Sequence, residues 1–306
     1  MSHQDFKVLW KLGKMSKVKI EHQMTNHIVI ICTRNRPKSL REMLTTLQEQ
    51  ILLPHLTLVI DSSDQFQPLK YFNKLNLTHV SSQKGTSLQR NHGLSLIKSQ
   101  PRESIIHFFD DDVILESNYL LNVENSFNQN CGVVGVGART PDNLSSSPKI
   151  LSRFFLLDSK KSGVVLKSGA NTGFKKSKDV YEVDWLPGCC MSYRFNSIFE
   201  LRFKGDREGV VWGEDVDFSY RVGLCAPLVI DNNLKIIHKR SIQNRDRKWE
   251  RVLESSKHRI RMINIPGGRV ALPHVLWSIL GEILLTFASH LKQKLKTPLP
   301  RLRNLS

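Results

Sequence analysis

The sequence predicts an α/β fold: a mostly parallel sheet flanked by helices, followed by a helical C-terminal extension. Three observations carry this. Short β-branched apolar runs alternate with stretches of helical periodicity over the first third of the chain. Polar clusters stand at the ends of three such runs, at 33–36, 61–64 and 110–112, where open α/β sheets bind ligands. Residues 240–306 then turn basic, with 14 Lys and Arg against 4 Asp and Glu.

Taken in order, HIVIIC at 27–32 is a strand buried on both faces. Pro37 fits the first turn of a helix whose apolar side is Leu40, Met43, Leu44, Leu47 and Ile51. Leu56–Ile60 is a second strand ending in DSSD, and Leu77–Val80 a third. Thr86 and Gln89 have capping-box spacing and open a helix containing Arg90, Leu94 and Ile97. Ser104–Phe109 is a fourth strand, running directly into Asp110-Asp111-Asp112. Gly132–Gly137 is a further strand, and 138–182 reads as long loops forming a flap over the site. Apolar chain returns at Val183–Arg194. WGEDVDFSYRV at 212–222 opens a helix, Leu234–His238 is a last strand, and a basic amphipathic helix begins near Asn244 with Trp249, Val252, Leu253, Ile260 and Ile263 on its apolar side.

The chain has 306 residues and a formal net charge of +17, from 45 Lys and Arg against 28 Asp and Glu. At roughly 150 residues per domain this is one or two domains. The basic surplus suggests a polyanionic partner: nucleic acid, anionic membrane or phosphorylated substrate. Five cysteines form no CxxC pair, as in a reduced, cytoplasmic protein. Segment 1–26 carries five Lys and no apolar stretch of signal-peptide type. The sequons at Asn76, Asn143 and Asn304 carry no weight in such a chain. Residues 270–291 contain no Lys, Arg or Asp, and Glu282 is their single acid. Leu276, Ile279, Leu280, Ile283, Phe287 and Leu291 share one helical side, opposite Ser278, Glu282 and Ser289. With Lys292, Lys294, Lys296, Arg301 and Arg303 following, this reads as a helix lying on an anionic membrane; a helix packed on the protein's own core is the alternative.

Three adjacent carboxylates repel one another, and a hard divalent cation such as Mg²⁺ or Mn²⁺ makes such a cluster tolerable while holding substrate phosphates. The alternative is a solvated acidic turn. Glu214 or Asp215 is either a helix cap or a carboxylate that takes a proton from an attacking hydroxyl. Arg90, near a helix start, is either an oxyanion ligand or a surface arginine. His238 is either a metal ligand or structural.

In this order the motifs resemble the family 2 glycosyltransferases, inverting enzymes of GT-A (Rossmann-like) fold that use nucleotide sugars. The residues that carry the resemblance are HIVIICTRNRPKSLREML at 27–44, VIDSSD at 59–64, LQRNHGL at 88–94, FFDDDVILESNYL at 108–120 and WGEDVDFSYRV at 212–222. The resemblance covers about residues 27–240. It implies a nucleotide-contacting loop at Thr33 and Arg34, base recognition by Asp61, and donor contacts at Arg90 and Asp111. It further implies a cation with its diphosphate at Asp110 and Asp112, an additional metal or diphosphate ligand at His238, and Asp215 as general base. Arg34 stands where many members have an aromatic residue, and DSSDQ where many have a glycine-containing turn.

The implied organisation is a basic extension (1–26), a transferase domain (27–240) and a basic helical region (241–306). The implied partners are a nucleotide-sugar donor, a saccharide or lipid-linked acceptor for surface polysaccharide or glycolipid, and the cytoplasmic face of an anionic membrane. A sugar-phosphate nucleotidylyltransferase is the nearest rival, but TRNRPKS after the first strand lacks the glycines such enzymes use. A nucleic-acid-binding protein or nuclease is a rival of another class; no zinc spacing or RNA-binding signature supports it, and no nucleic-acid partner is expected.

Overall fold

The structure, a computed structural model, describes residues 25–69, 72–140, 144, 150–177, 179–205, 212–239 and 248–296. The 1–24 part of the N-terminal extension, the expected helix start near Asn244, the sequons at Asn143 and Asn304, and Arg301 and Arg303 lie outside the described residues.

The described residues hold ten strands: β1 (His27–Thr33), β2 (Leu56–Asp61), β3 (Leu77–Ser81), β4 (Ile105–Asp110), β5 (Val113–Leu115), β6 (Gly135–Ala138), β7 (Tyr181–Val183), β8 (Cys190–Arg194), β9 (Leu228–Asp231) and β10 (Ile236–His238). Eight form one sheet in the order β3-β2-β1-β4-β8-β6-β9-β7, and β10 pairs with β5 in a separate ribbon. The first four run parallel; β8 enters antiparallel to β4 and β6, and β7 antiparallel to β9.

The helices are α1 (Pro37–Gln48), α2 (Thr86–Leu96), α3 (Tyr119–Gln129), α4 (Ile150–Phe154), α5 (Phe195–Ile198), α6 (Glu214–Gly223), α7 (Lys248–Ile263) and α8 (Leu272–Lys296). The sheet is covered on both faces because the central strands β1, β2 and β4 turn apolar side chains to either side. Ile28 and Ile30 of β1 pack in one core with Leu94 of α2 and Val216 and Phe218 of α6. Val29 and Ile31, one residue out of phase, pack in a second core with Leu40, Met43, Leu44 and Leu47 of α1 and Tyr119 and Val123 of α3. Burying each of these aliphatic side chains contributes about 1.5–3 kcal/mol.

Several expectations change. Helix α1 stops at Gln48, so Ile51 is exposed rather than part of its apolar side. The capping box does not form: Gly85 precedes α2, and Gln89 instead donates to Thr33 O (2.9 Å) and Ile60 O (2.7 Å), tying the ends of β1 and β2 together. The 138–182 segment is no loose flap where it is described, since Val165 and Phe174 are buried and Phe174 packs on Trp185 at 4.5 Å. In α7 the buried residues include His258 and Arg259, while Trp249, Leu253 and Ile260 of the expected apolar side are exposed.

The chain reverses direction of travel across the sheet at β1, whose neighbours are β2 and β4. Crevices form at such a switch point, outside the carboxyl ends of the strands. Register sets these ends level: Thr33 lies opposite Asp61, and Cys32 opposite Asp110.

Candidate active site

A cleft of about 640 Å³ opens above these strand ends. It is lined by Thr33, Arg34 and Arg36 after β1, Arg90 of α2, Asp110–Asp112 after β4, Gly188 and Cys189 before β8, Trp212–Val216 at the start of α6, and His238 of β10. Of the residues expected from sequence, Asp61 alone stands outside that lining. Its carboxylate turns to its neighbour strand, where Asp61 Oδ2 meets His79 Nε2 at 3.1 Å and Oδ1 accepts the Ser63 N–H at 2.7 Å.

The acidic triplet splits three ways because successive side chains leave a strand end in different directions. Asp110 faces Arg90, whose Nη2 lies 3.3 Å from its Oδ1. Asp111 accepts the Thr33 hydroxyl at 2.6 Å. Asp112 meets His238 Nε2 at 3.1 Å, an approach fixed by the β5–β10 ribbon, which sets His238 opposite Val113 and ties Lys239 N to Asp112 O at 2.9 Å. Arg36 spans Asp111 (3.2 Å) and Asp112 (3.1 Å) from the cleft side.

Ligand atoms of Asp110, Asp112 and His238 all lie within 4.8 Å of one another. Two carboxylates and an imidazole are a donor set that suits Mn²⁺ or Mg²⁺, so these residues fit the cation that the resemblance implies. The electrostatics favour one as well. Burial pushes the Asp110 carboxyl up despite Arg90, with Asp112 adding to the rise. Burial likewise takes Asp111 to about 6, against the pull of Thr33 and Arg36. For Asp112 burial acts upward too, but His238 and Arg36 outweigh it and the carboxyl is lowered. A divalent cation would offset the cost of holding these charges together.

The opposite wall is the start of α6. Asp215 borders the cleft with both oxygens fixed by backbone: Oδ2 accepts the Gly188 N–H and Oδ1 the Val216 N–H, each at 2.9 Å. Gly188 leaves the space for this, since a Cβ there would lie 3.0 Å from Asp215 Oδ2. Gly213 turns the chain into α6 with φ +77°, directly over the His258 ring. Glu214 points inward. Burial raises it to about 7, offset in part by Arg90, whose Nη1 donates to it at 2.9 Å.

Arg90 is itself buried, with its ring-side contact to Phe203 at 5.2 Å and a further donation to Gly188 O at 2.8 Å. Burial lowers its basicity, but Glu214 and Asp110 raise it further, so it stays charged. It is therefore the internal counter-ion of the site. Sequence reasoning assigned no site role to Arg36, Gln89, Gly188 or the half-exposed Trp212 at the cleft lip; Arg36 in the 33–36 polar cluster, Gln89 in LQRNHGL and Trp212 beside the acidic motif left a signal, and Gly188 left none.

A model of the glycosyl transferase family 2 matches residues 28–199. The chain belongs to that family. Solved structures of similar fold include Staphylococcus aureus TarS 1-349 in complex with UDP-GlcNAc (18% identity, TM-score 0.54, covering 90% of this chain and 77% of that one). They also include the mannosyltransferase PcManGT from Pyrobaculum calidifontis in complex with GDP-Man and Mn²⁺ (15%, 0.54, 97% and 85%). GalNAc-T7 with UDP, GalNAc and Mn²⁺ is a third (12%, 0.54, 79% and 48%). The chain spans 46% of a longer S. aureus TarS chain (19%, TM-score 0.51, 90% of this chain). No curated protein is matched by its sequence. This family 2 chain thus shares the GT-A architecture, with its three potential cation ligands and Asp215 around one cleft.

Proposed function

We propose that the protein transfers a sugar from a nucleotide-diphosphate donor to an acceptor hydroxyl with inversion at the anomeric carbon. The observation that carries this reading is that Asp110, Asp112 and His238 share one cleft with Asp215, whose carboxylate is held by two backbone N–H groups. Asp110, Asp112 and His238 would hold Mn²⁺ or Mg²⁺. The bound cation supplies Lewis-acid stabilisation of the departing diphosphate.

Asp215 takes the proton of the acceptor hydroxyl, whose oxygen attacks the anomeric carbon from the face opposite the diphosphate. The new glycosidic bond forms as the bond to the diphosphate breaks, and the nucleoside diphosphate leaves with the electron pair. Thr33, Arg34 and Asp111 serve the nucleotide side of the cleft, and Asp61 the base. Arg90 serves the donor indirectly, by holding Asp110, Gly188 and Glu214. Residues 27–240 are the transferase domain between the extension 1–26 and the basic helical region 241–306. The acceptor is a saccharide or lipid-linked saccharide, in surface polysaccharide or glycolipid synthesis at the cytoplasmic face of a membrane. TarS 1-349, GalNAc-T7 and PcManGT, of similar fold, are solved with UDP-GlcNAc, with UDP and with GDP-Man respectively, which supports the donor class.

Asp215→Asn tests the assignment. Transfer should fall by roughly 10²–10⁴-fold while calorimetric donor affinity stays near wild type. Undiminished transfer would remove Asp215 from the role.

A further inference from the structure

Helix α8 turns Val275, Ser278 and Glu282 to the protein and a row of large apolar side chains outward. Arg259 of α7 donates to Ser278 Oγ at 2.9 Å and is hydrogen-bonded to Glu282, which also accepts the Ser255 hydroxyl at 2.8 Å. Val275 and Ser278 are fully buried. Leu276, Leu280, Ile283, Leu284, Phe287 and Leu291 are left 40–56% exposed. A helix packed on a globular core shows the reverse arrangement.

Helix α4 extends the same surface. Ile150, Leu151 and Phe154 are all exposed. Phe154 packs edge-on against Trp277 of α8 at 5.3 Å, and Trp277 Nε1 donates to Phe154 O at 2.9 Å. The two helices therefore present one apolar patch, larger than scattered surface leucines account for.

We propose that this patch docks the protein on an anionic lipid bilayer, with α8 lying in the interfacial plane rather than crossing it. This sharpens the membrane-face placement proposed above and uses none of the transfer chemistry. Residues 272–292 have the length and hydropathy to cross a bilayer. Yet the first half of that stretch is fastened to the protein body through Val275, Ser278 and Glu282, so spanning would take Arg259 and the charged helix α7 into hydrocarbon. Lying flat keeps the Arg259–Glu282 pair on the protein side and places the leucines and Phe287 in lipid.

Charge selects the occupant. The chain carries +17, and Lys292, Lys294 and Lys296 follow the apolar residues in sequence. A second copy would bring equal positive charge, whereas anionic headgroups complement it. Apolar insertion combined with basic residues is the pairing that gives stable interfacial binding.

The test is vesicle flotation of the full chain on phosphatidylcholine, with and without phosphatidylglycerol. It compares wild type with the double variant Leu280→Glu/Leu284→Glu, whose positions are exposed and so spare the fold. Wild type should float with the anionic vesicles and be weakened by salt; the variant's partitioning should fall by at least about tenfold. Equal flotation of both proteins would overturn the proposal. So would wild-type binding that resists alkaline carbonate extraction, the behaviour of a spanning helix, or a lipid-free dimer that the same variant dissociates. Nucleotide-dependent thermal stabilisation, measured on the same variant, is expected to persist; its absence from wild type as well would count against the transferase reading and not against docking.

Discussion

Arg90 and Glu214, 124 residues apart, form a buried ion pair of 2.9 Å that joins the two walls of the cleft. The other arm of the guanidinium, Nη2, reaches both Asp110 and Gly188 O, so one side chain spaces the cation ligands from Asp215. A buried pair of this kind is costly to break from one side, because the surviving charge is left without a partner.

Arg90→Met should destabilise the fold by about 3–5 kcal/mol and abolish transfer. Adding Glu214→Gln should restore part of the stability, since the stranded carboxylate is then removed, and restore little activity. Chemical denaturation of the two single variants and the double variant checks this. Strict additivity would show that the pair is not coupled.

Gly213 is required twice over, by φ +77° and by His258, whose Nδ1 would lie 2.4 Å from an added Cβ. Gly213→Ala should therefore cost about 3 kcal/mol and reduce kcat by displacing Asp215. His258→Ala in that background should recover the steric part only. Melting temperatures of wild type and the two variants report the difference.

Acid should unfold the protein through its buried histidines. Burial takes His27 and His258 each down to about 4, and burial with the neighbouring His27 takes His107 well below the usual range. His27 Nδ1 and His107 Nε2 lie 2.9 Å apart, and His107 Nδ1 meets Ser192 Oγ at 2.9 Å, so both rings are held neutral. Folded values lie below unfolded ones, so the unfolded chain binds more protons between about pH 6.5 and pH 4. The histidine contribution is full above pH 6.5 and falls as pH drops through that window, by about 3 kcal/mol each for His27 and His258, while the raised carboxyls of Asp111 and Glu214 act in the opposite sense. The difference in urea midpoint between pH 7.5 and pH 5, in wild type and in His258→Gln, measures it; an unchanged difference in the variant would contradict the neutral assignment of His258.

The parts of the fold that the sequence made legible are those where local pattern and tertiary burial agree. β1, β2 and β4 are apolar on both faces and end in polar clusters, so their place in a covered sheet was readable together with the cleft at their ends. β5, β7 and β9, of three or four residues, are too short to carry a period and exist through their pairing. Asp110, Asp112, His238 and Asp215 stood out as carboxylates or a histidine at element ends. Gln89 and Arg90 did not show their parts, because a polar side chain inside a helix start looks the same whether it meets solvent or two distant strands. Amphipathicity revealed that α8 has two unlike sides, but which side meets the protein depends on Arg259, a residue of another helix.

The central claim is that a cation at Asp110, Asp112 and His238 holds the donor's diphosphate. Thermal melting of wild type and Asp112→Asn with UDP or GDP, in Mn²⁺ or in EDTA, tests it most directly. The account predicts that one nucleotide raises the wild-type Tm in Mn²⁺ alone, and that Asp112→Asn abolishes the rise. Stabilisation of equal size in EDTA and in Asp112→Asn would contradict it.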